Sequence, residues 1–412
     1  MGYTRTLLNG YGDVFRRKDY ASLFILNASS ATIGAMLGPV FPLWIMTILH
    51  VSVSYVFFII AMIGIGGAIL NVFIGHLTDI IGKRKLLLEI SFFSASIRGF
   101  LYTLFPHIIV VIAASWLTQL STGSNLFAVL MDKIKKNGDE EEAGTITSTV
   151  RTSVSLGYMI GPWLGMTIVS IVSYRFFFLI YGILYVFLTV AVKLFVKDNG
   201  DVVHKKQSRI IINSNVGSIG ILLSTSILII SLFSGSLAAS PLLALFMNQV
   251  SSIKWAIAAA FGIGPIFEMV VIPMVGVLTD RIGTRRTLLL GAIGEIVYFL
   301  FLSITRNTVE VLIVQVFGTF YTAVLFTSLM LYVQDIFKDR IGFSSSFYFS
   351  SMSAAKVISN VLVGSLLLKW GVRSGFLLLS LLATLGFFII VSIELKQKSK
   401  KYSDSTATLN NS

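Results

Sequence analysis

The chain has 412 residues, of which 55% are hydrophobic and only 12% are charged, and its formal net charge is +13. A soluble domain carries about 25% charged residues, so this composition excludes an ordinary soluble protein and indicates a membrane protein. The absence of cysteine excludes disulfides and thiol chemistry.

Apolar runs of about 20 residues, enough to cross a bilayer as helices, recur along the whole length. Lipid offers backbone groups no hydrogen-bond partners, so these runs must be helical. The first six predicted spans are 21–46, 54–76, 86–105, 108–130, 145–171 and 176–196. The second six are 216–246, 255–278, 287–305, 308–334, 343–368 and 374–394. Polar segments flank them as an N-terminal segment (1–20), a linker (197–214) and a tail (396–412).

Two short segments, GHLTDIIGKRK at 75–85 and GVLTDRIGTRR at 276–286, are nearly the same and lie 201 residues apart. Each stands between two apolar runs. Repetition at half the chain length indicates an internal duplication. We therefore predict an all-α integral membrane protein with twelve transmembrane helices in two pseudo-symmetric bundles of six, at 21–196 and 215–395.

The distribution of Lys and Arg predicts the orientation of these helices. If both termini are cytoplasmic, 24 of the 32 basic residues fall in inner segments and five in outer loops. This asymmetry follows the positive-inside rule. Topology and anionic inner-leaflet lipid then explain the net charge, and no nucleic-acid partner is expected.

The repeated hairpin contains residues suited to a gate. Glycine can take a left-handed backbone position at the turn, and Asp79 and Asp280 can cap the following helix. Basic residues of each hairpin can pair with Asp132 or Asp335, which end the fourth and tenth spans, and pairs that break in another conformation would bias an inward/outward equilibrium. The alternative is that these charges only set topology. The predicted cytoplasmic gate motif consists of Gly75, Asp79, Gly82, Lys83, Arg84 and Asp132 in one half and Gly276, Asp280, Gly283, Arg285, Arg286 and Asp335 in the other.

The hairpin pattern resembles the loop motif of the major facilitator superfamily, and the resemblance covers essentially the whole chain. It implies two helical bundles around a central cavity that work by alternating access.

A second motif lies in the fifth span, at Gly157, Gly161, Pro162 and Gly165. Small residues four apart let helices approach closely, and proline removes a backbone hydrogen bond. The simpler interpretation is that these residues only form a packing seam with a neighbouring helix. The spacing also resembles the antiporter motif of exporters in the superfamily, although Met166 stands where that pattern has a second glycine.

A closer resemblance, to the sugar efflux transporters of the superfamily, rests on three segments. They are RTSVSLG at 151–157, FEM at 267–269 followed by IPM at 272–274, and LYVQD at 331–335. The resemblance implies export of saccharides by proton antiport. The chain departs from the family in the longer run between Glu268 and Pro273, which affects the inference about substrate.

Ionisable residues inside spans are functional candidates because burying a charge in lipid is expensive. Glu268 in the eighth span is the first candidate for proton coupling, Lys356 in the eleventh is its expected partner, and Arg151 begins the fifth. Each could instead be structural. Arg98 and Glu295 lie in the third and ninth spans, where we expect structural pairing.

A sugar site needs amide and hydroxyl groups together with aromatic faces. The candidate substrate residues are Asn27, Gln119, Asn125, Asn248, Gln315 and Gln334. Trp116, Tyr158 and Tyr321 are candidates for stacking. The alternative role of each is a hydrogen bond between helices.

Other function classes lack their signatures. The four histidines show no metal-ligand spacing, and no phosphate-binding loop is present, so neither an enzyme nor an ATP-driven pump is expected, and no metal or cofactor. The expected partners are a small-molecule substrate, protons and membrane lipid, and we expect a monomer in the plasma membrane. A multidrug exporter remains the alternative. The acidic run from Asp139 is expected to be solvated, and the tail to be disordered.

Overall fold

A computed structural model describes residues 15–81, 84–118, 122–139, 143–196, 219–251, 253–337 and 341–409, without the side chains of 71–81 and 394–409 among others. Every regular element in these ranges is helical. The elements are α1 (Lys18–Ile48), α2 (Val53–Ile81), α3 (Arg84–Leu104), α4 (Ile108–Leu117), α5 (Thr122–Asn137), α6 (Ala143–Ile171), α7 (Tyr174–Phe195), α8 (Ile219–Val250), α9 (Lys254–Ile282), α10 (Thr284–Ile304), α11 (Thr308–Val324), a π-helical turn (Leu325–Leu329), α12 (Met330–Ile336), α13 (Ile341–Trp370) and α14 (Val372–Leu409).

Within the described ranges, eleven helical segments have the length and apolar character to cross a bilayer. The predicted fourth span is the exception, because α4 ends at Leu117 and α5 begins at Thr122. The tenth span runs through α11, the π-helical turn and α12 as one segment, Thr308–Ile336. The predicted linker lies outside the described residues.

Contacts divide the chain into two compact units, and the first comprises residues 1–211 together with 243–269. In this unit α1 packs along α6, and α3 packs along α7. Aromatic rings join the two pairs, with the centroids of Trp44 and Tyr102 4.9 Å apart and those of Trp44 and Phe178 4.5 Å apart. The beginning of α9 belongs to this unit through contacts such as Lys254 Nζ to the Val169 carbonyl, at 3.1 Å.

The second unit comprises residues 212–242 and 270–412, and α10 lies at its centre. This helix packs against α14, α11, the π-helical turn and α12. Ser380 on α14 donates a hydrogen bond to the Ile296 carbonyl at 3.2 Å. Thr279 on α9 and Ser328 in the π-helical turn share a hydrogen bond of 2.8 Å between their hydroxyls.

The expectation of a disordered tail is wrong for residues 396–409, which continue α14 as far as Leu409. The physical reason is that the helix is already nucleated inside the protein, and no glycine or proline follows Gly386 to stop it. Extending an existing helix fixes one residue for each hydrogen bond gained, so a polar sequence can follow it without a core of its own.

Candidate functional site

The hairpin of the second unit joins α9 to α10 through Gly283. This glycine has φ of 86°, so the predicted left-handed position is found here. Its amide donates to the Thr279 carbonyl at 2.9 Å, which ends α9. Gly276 lies within α9 with no atom near the place where a Cβ would be, so the structure gives it no packing role.

The prediction that Asp280 caps α10 is wrong. The N-cap residue of α10 is Gly283, and no side-chain capping hydrogen bond is found there among the described residues. Asp280 lies in the last turn of α9 and is exposed. The helix continues past Asp280 until a residue without a Cβ can reverse the chain, which leaves the carboxylate one turn too early to cap.

An open cleft of about 610 Å³ lies beside this turn, and it is lined by Ile282, Gly283, Thr284, Arg285, Arg286 and Asp335. The structure therefore brings the predicted arginines and Asp335 to one place. Among the residues that the structure describes, neither arginine makes an ion pair within 4.0 Å with Asp335. The gate function of these residues stays a prediction.

The first hairpin is only partly described. Gly75 and Asp79 lie on α2, Arg84 begins α3 and Asp132 lies on α5, but their side-chain surroundings are outside the description. Gly82 and Lys83 lie outside the described residues altogether.

An ion-pair cluster that sequence reasoning missed connects the start of α1 with the end of α5. Lys133 Nζ lies 3.3 Å from Asp19 Oδ1, and the Lys133 side chain is only 2% exposed. Asp139 accepts hydrogen bonds or ion-pair contacts from Tyr20 and Arg17, both at 2.6 Å. The hydrogen bond from Tyr20, with Arg17 beside it, holds the pKa of Asp139 below its ordinary value. Asp139 is therefore not a member of a merely solvated patch.

The antiporter-like motif forms the contact between α6 and α1. A Cβ at Gly157 would lie 2.5 Å from that of Ala31, and a Cβ at Gly165 would lie 2.7 Å from the Met36 carbonyl oxygen. Gly161 faces the backbone of Thr32 in the same way. The structure thus places these glycines in a packing seam between α1 and α6, which is the simpler of the two interpretations of the motif.

Asn27 lies in this seam, buried to 5% exposure. Its amide donates to Ser153 Oγ at 2.9 Å and to the Val150 carbonyl at 3.3 Å. These bonds tie α1 to α6 and occupy both of its donor hydrogens. In this structure Asn27 holds two helices together, and the substrate role proposed for it stays untested.

Glu268 is half-buried on α9 and interacts electrostatically with Tyr158, which is part of the seam helix α6. Trp163, further along α6, fills the place beside Gly262 of α9. Arg151 is exposed at its position on α6. Lys356 belongs to the other unit, so its pairing with Glu268 stays a prediction.

The remaining polar candidates fall into different environments. Gln315 is buried and accepts a hydrogen bond from Tyr298 at 3.2 Å. Asn248 is exposed at the end of α8, and Gln334 is half-buried on α12. Gln119 lies outside the described residues, and the side chain of Asn125 is not described.

Two of the three aromatic candidates are committed to helix packing. Trp116 Nε1 donates to the Met62 carbonyl at 3.1 Å, which joins α4 to α2. Tyr321 is buried, with its ring centroid 5.1 Å from that of Tyr298. Tyr158 differs, because half of it is exposed.

Arg98 and Glu295, for which structural pairing was expected, have opposite outcomes. Arg98 donates to Thr118 Oγ1 at 3.0 Å and to the hydroxyl of Tyr181, and its guanidinium lies 5.3 Å from the Tyr181 ring centroid. Glu295 is fully buried, and neither carboxyl oxygen has a hydrogen-bond partner among the described residues. The expectation is wrong for Glu295.

Comparison with known proteins gives a family match and a curated relative. The sequence model of the Major Facilitator Superfamily matches residues 23–270 and 221–409. Sugar efflux transporter A of Dickeya chrysanthemi is 24% identical over 111 residues, which are 27% of this chain and 28% of the relative. The chain thus matches little more than a quarter of that relative's length.

Two solved structures resemble the fold. A crystal structure of an Asp-to-Ala variant of the nucleoside transporter NupG superposes with a TM-score of 0.74 at 13% identity, covering 90% of this chain and 98% of NupG. A second NupG structure gives a TM-score of 0.73 at 11% identity over the same shares of the two chains. At these identities the likeness concerns the fold alone.

Proposed function

Because the chain belongs to the major facilitator superfamily, we propose that it exports a sugar or sugar-like small molecule in exchange for protons, by alternating access. It is a multi-pass membrane transporter and not an enzyme. The proposal includes a plasma-membrane location, cytoplasmic termini, a monomeric state and Glu268 as the residue that carries the proton.

The observation that carries the proposal is the position of Glu268 on α9, beside Tyr158 of α6. A carboxyl group inside a span is costly when ionised, so its charge depends on how much water reaches it. Glu268 is half-buried, so a conformation in which water reaches the exposed part of its side chain lets it exchange a proton. Its neighbour Tyr158 directly follows Gly157 of the α1–α6 seam, so a change of charge at Glu268 acts beside a contact between packed helices.

Support for a sugar comes from the name of one relative, Sugar efflux transporter A, and from the exposed polar and aromatic side chains of the first unit. Tyr158 and Trp163 are 51% and 38% exposed. Asn248, in the same unit, is exposed as well. Rings and amides together are the groups that bind saccharides.

A multidrug exporter is the second candidate, and the environments of Asn27 and Gln315 favour it. Both amides are buried and bonded to neighbouring helices, which leaves apolar and aromatic side chains to line a binding site. A site built from such side chains would bind amphipathic cations and would not depend on amide residues.

The experiment that tests the proposal uses purified full-length protein in liposomes under an imposed pH gradient. Labelled lactose, a labelled nucleoside and a cationic dye are followed in parallel for the wild type and for Glu268→Gln. We expect lactose movement driven by the gradient, at least about tenfold slower in the variant because its amide cannot carry a proton.

Glu89→Gln is the matched control, since the ion pair described for Glu89 is with Lys85, one turn away on α3, at 4.0 Å. It should transport like the wild type. Movement of dye without lactose would replace the sugar by the multidrug function, and movement of the nucleoside alone would replace the substrate class. Equal gradient-driven rates in wild type and Glu268→Gln would remove the proton role from Glu268.

A further inference from the structure

Glu295 lies near the middle of α10 and has a relative exposure of 0%. Both of its carboxyl oxygens are buried without a hydrogen-bond partner among the described residues. No ion pair within 4.0 Å involves it in the same ranges. A buried carboxyl group without a hydrogen-bond partner or counter-charge is rare in proteins, because each unpartnered buried polar atom costs free energy.

The carboxyl group fits against a gap in α8. A Cβ added to Gly235 would collide with Glu295 Oε1 and would lie 2.6 Å from Phe299 Cε2. The carboxyl therefore occupies space that any residue larger than glycine would take. The closed contact between α8 and α10 at this position is also what keeps water from Glu295.

Among the described side chains, the elements packed around Glu295 place no cation within 4.0 Å of it. Along its whole length α8 has no ionisable residue. On α10 itself the ionisable neighbours are Tyr298 and, in the first turn, Arg285 and Arg286, which lie more than two helical turns before Glu295. Among the described side chains, the other ionisable ones on the packed elements are Glu310 and Tyr321 on α11, Tyr332 and Asp335 on α12, and Arg373 at the start of α14. The side chains of α14 from Glu394 onward are not described. None of the described ones is bonded to Glu295.

An isolated carboxylate in such surroundings takes up a proton, because neutralisation removes the cost of burying the charge. We propose that Glu295 is a proton-binding site of the second unit, occupied while α8 and α10 are in contact at Gly235 and emptied when that contact opens to water. Two oxygens of one side chain suffice for a proton, whereas Na⁺ or another metal ion would need several further oxygen ligands.

Binding and conformation are then linked in a fixed direction. The protonated carboxyl favours the closed contact, and the ionised carboxyl favours the opened one, so a rise in pH shifts the equilibrium towards opening. The site on α10 adds a second proton-binding residue to the proposed exchange. Proton binding by Glu295 does not depend on the proposed function, but the use of that proton in transport rests on it.

The first test measures protonation directly, by infrared difference spectroscopy of the full-length protein in lipid nanodiscs across a pH titration. We expect a protonated-carboxyl C=O band near neutral pH that is absent in Glu295→Gln, present in Glu268→Gln and displaced in Glu295→Asp. Glu295→Asp keeps a carboxyl group, so its displaced band still assigns the signal to this position if Glu295→Gln folds poorly. An unchanged band in Glu295→Gln would overturn the proposal.

The second test measures opening, and the lack of native cysteine makes it clean. Ala239 is buried on α8 one turn beyond Gly235, so Ala239→Cys reports access to the same face. Because only the thiolate reacts, each maleimide labelling rate is divided by the rate of a free thiol at the same pH. The corrected rate should be slow at low pH and rise with pH, and this remaining pH dependence should disappear with Glu295→Gln. Identical pH dependence with and without Glu295→Gln would overturn the linkage.

These readouts need no transported substrate. Absence of gradient-driven transport, together with the expected band and labelling, would contradict the proposed function while supporting the proton site. Gradient-driven transport with no Glu295 band would support the proposed function and contradict the proton site.

Discussion

The α3–α7 contact of the first unit contains Arg98, and the α8–α10 contact of the second contains Glu295. The two contacts accommodate an ionisable side chain in opposite ways. Helices α3 and α10 have the same length, 21 residues, and begin 200 residues apart. Arg98 stands 14 residues into α3, and Glu295 stands 11 residues into α10, one helical turn earlier. The guanidinium is bonded to Thr118 and Tyr181, whereas the carboxyl has no partner among the described residues.

The difference follows from the chemistry of the two groups. A guanidinium cannot lose its charge in a protein, so it requires acceptors and a ring face wherever it is buried. A carboxyl can become neutral by taking up a proton, so a site without partners remains possible for it. Related helices can therefore contain a fixed charge in one half and an exchangeable one in the other.

The largest effect is expected from Gly99→Ala on α3. The added Cβ would lie 2.7 Å from the backbone N and Cα of Gly182 on α7, and backbone atoms cannot rotate away. We expect a loss of about 3 kcal/mol in the free energy of unfolding, measured by thermal denaturation in detergent. Gly264→Ala is the control, since no atom lies within 4 Å of its added Cβ. Equal stability of the two variants would mean that the α3–α7 contact is not tight.

Replacement of the fixed charge should have the next largest effect. Arg98→Met removes the hydrogen bonds to Tyr181 and Thr118 and the contact with the Tyr181 ring. Charged hydrogen bonds contribute about 1.5–3 kcal/mol, so we expect a loss of about 2 kcal/mol. Arg175→Met, an exposed cation at the start of α7, should change stability by less than about 0.5 kcal/mol. A loss no greater in Arg98→Met than in this control would make Arg98 dispensable.

Gly235→Ala should be less costly than Gly99→Ala, although its Cβ meets Glu295 and Phe299. The atoms that it meets belong to side chains, which can move, so we expect a loss of about 1–2 kcal/mol. Glu295→Ala in the same chain should recover part of this loss by vacating the space. A double-mutant cycle in thermal denaturation measures that coupling, and strictly additive losses would contradict the contact between the two residues.

The smallest effect is expected at the ion-pair cluster between α1 and α5, where Asp139 lies beside its cation Arg17. Asp139→Asn removes the partner of Arg17 and Tyr20, and exposed ion pairs contribute up to about 1 kcal/mol. Since the pKa of Asp139 is lowered in the folded state, its contribution is present above the pKa of the unfolded chain, about 3.9, and is lost as pH falls through the folded value. Acid denaturation curves of wild type and Asp139→Asn should therefore differ at neutral pH and converge in acid. A constant difference at all pH values would exclude this linkage.

Local sequence predicted those features in which one residue type dictates the backbone. The left-handed turn at Gly283 is found, because only glycine takes that conformation without strain. The close approach of α1 and α6 is found at Gly157, Gly161 and Gly165, where the absence of side chains lets two backbones meet. Family membership followed from the same repeated spacing and is supported along nearly the whole chain.

Features that depend on partners distant in sequence were not predictable. Asp139 lies 119 residues from Tyr20, and nothing in the acidic run itself identifies that neighbour. The Asp280 prediction was wrong because the end of α9 depends on the geometry of the turn and not on the nearest carboxylate. The polar composition of the tail likewise predicted disorder, whereas α14 extends through it to Leu409.

The sequence by itself determined a duplicated, helical membrane protein of the major facilitator superfamily, because apolar length and glycine spacing act locally and leave few alternatives. Only the tertiary structure decided which polar residues are used in packing and which buried charge has no partner. Asn27 and Glu295 are both polar residues within predicted spans, yet one joins two helices and the other has both oxygens unpaired among the described residues. Their difference arises from what the neighbouring helix presents, Ser153 in one case and the bare backbone of Gly235 in the other.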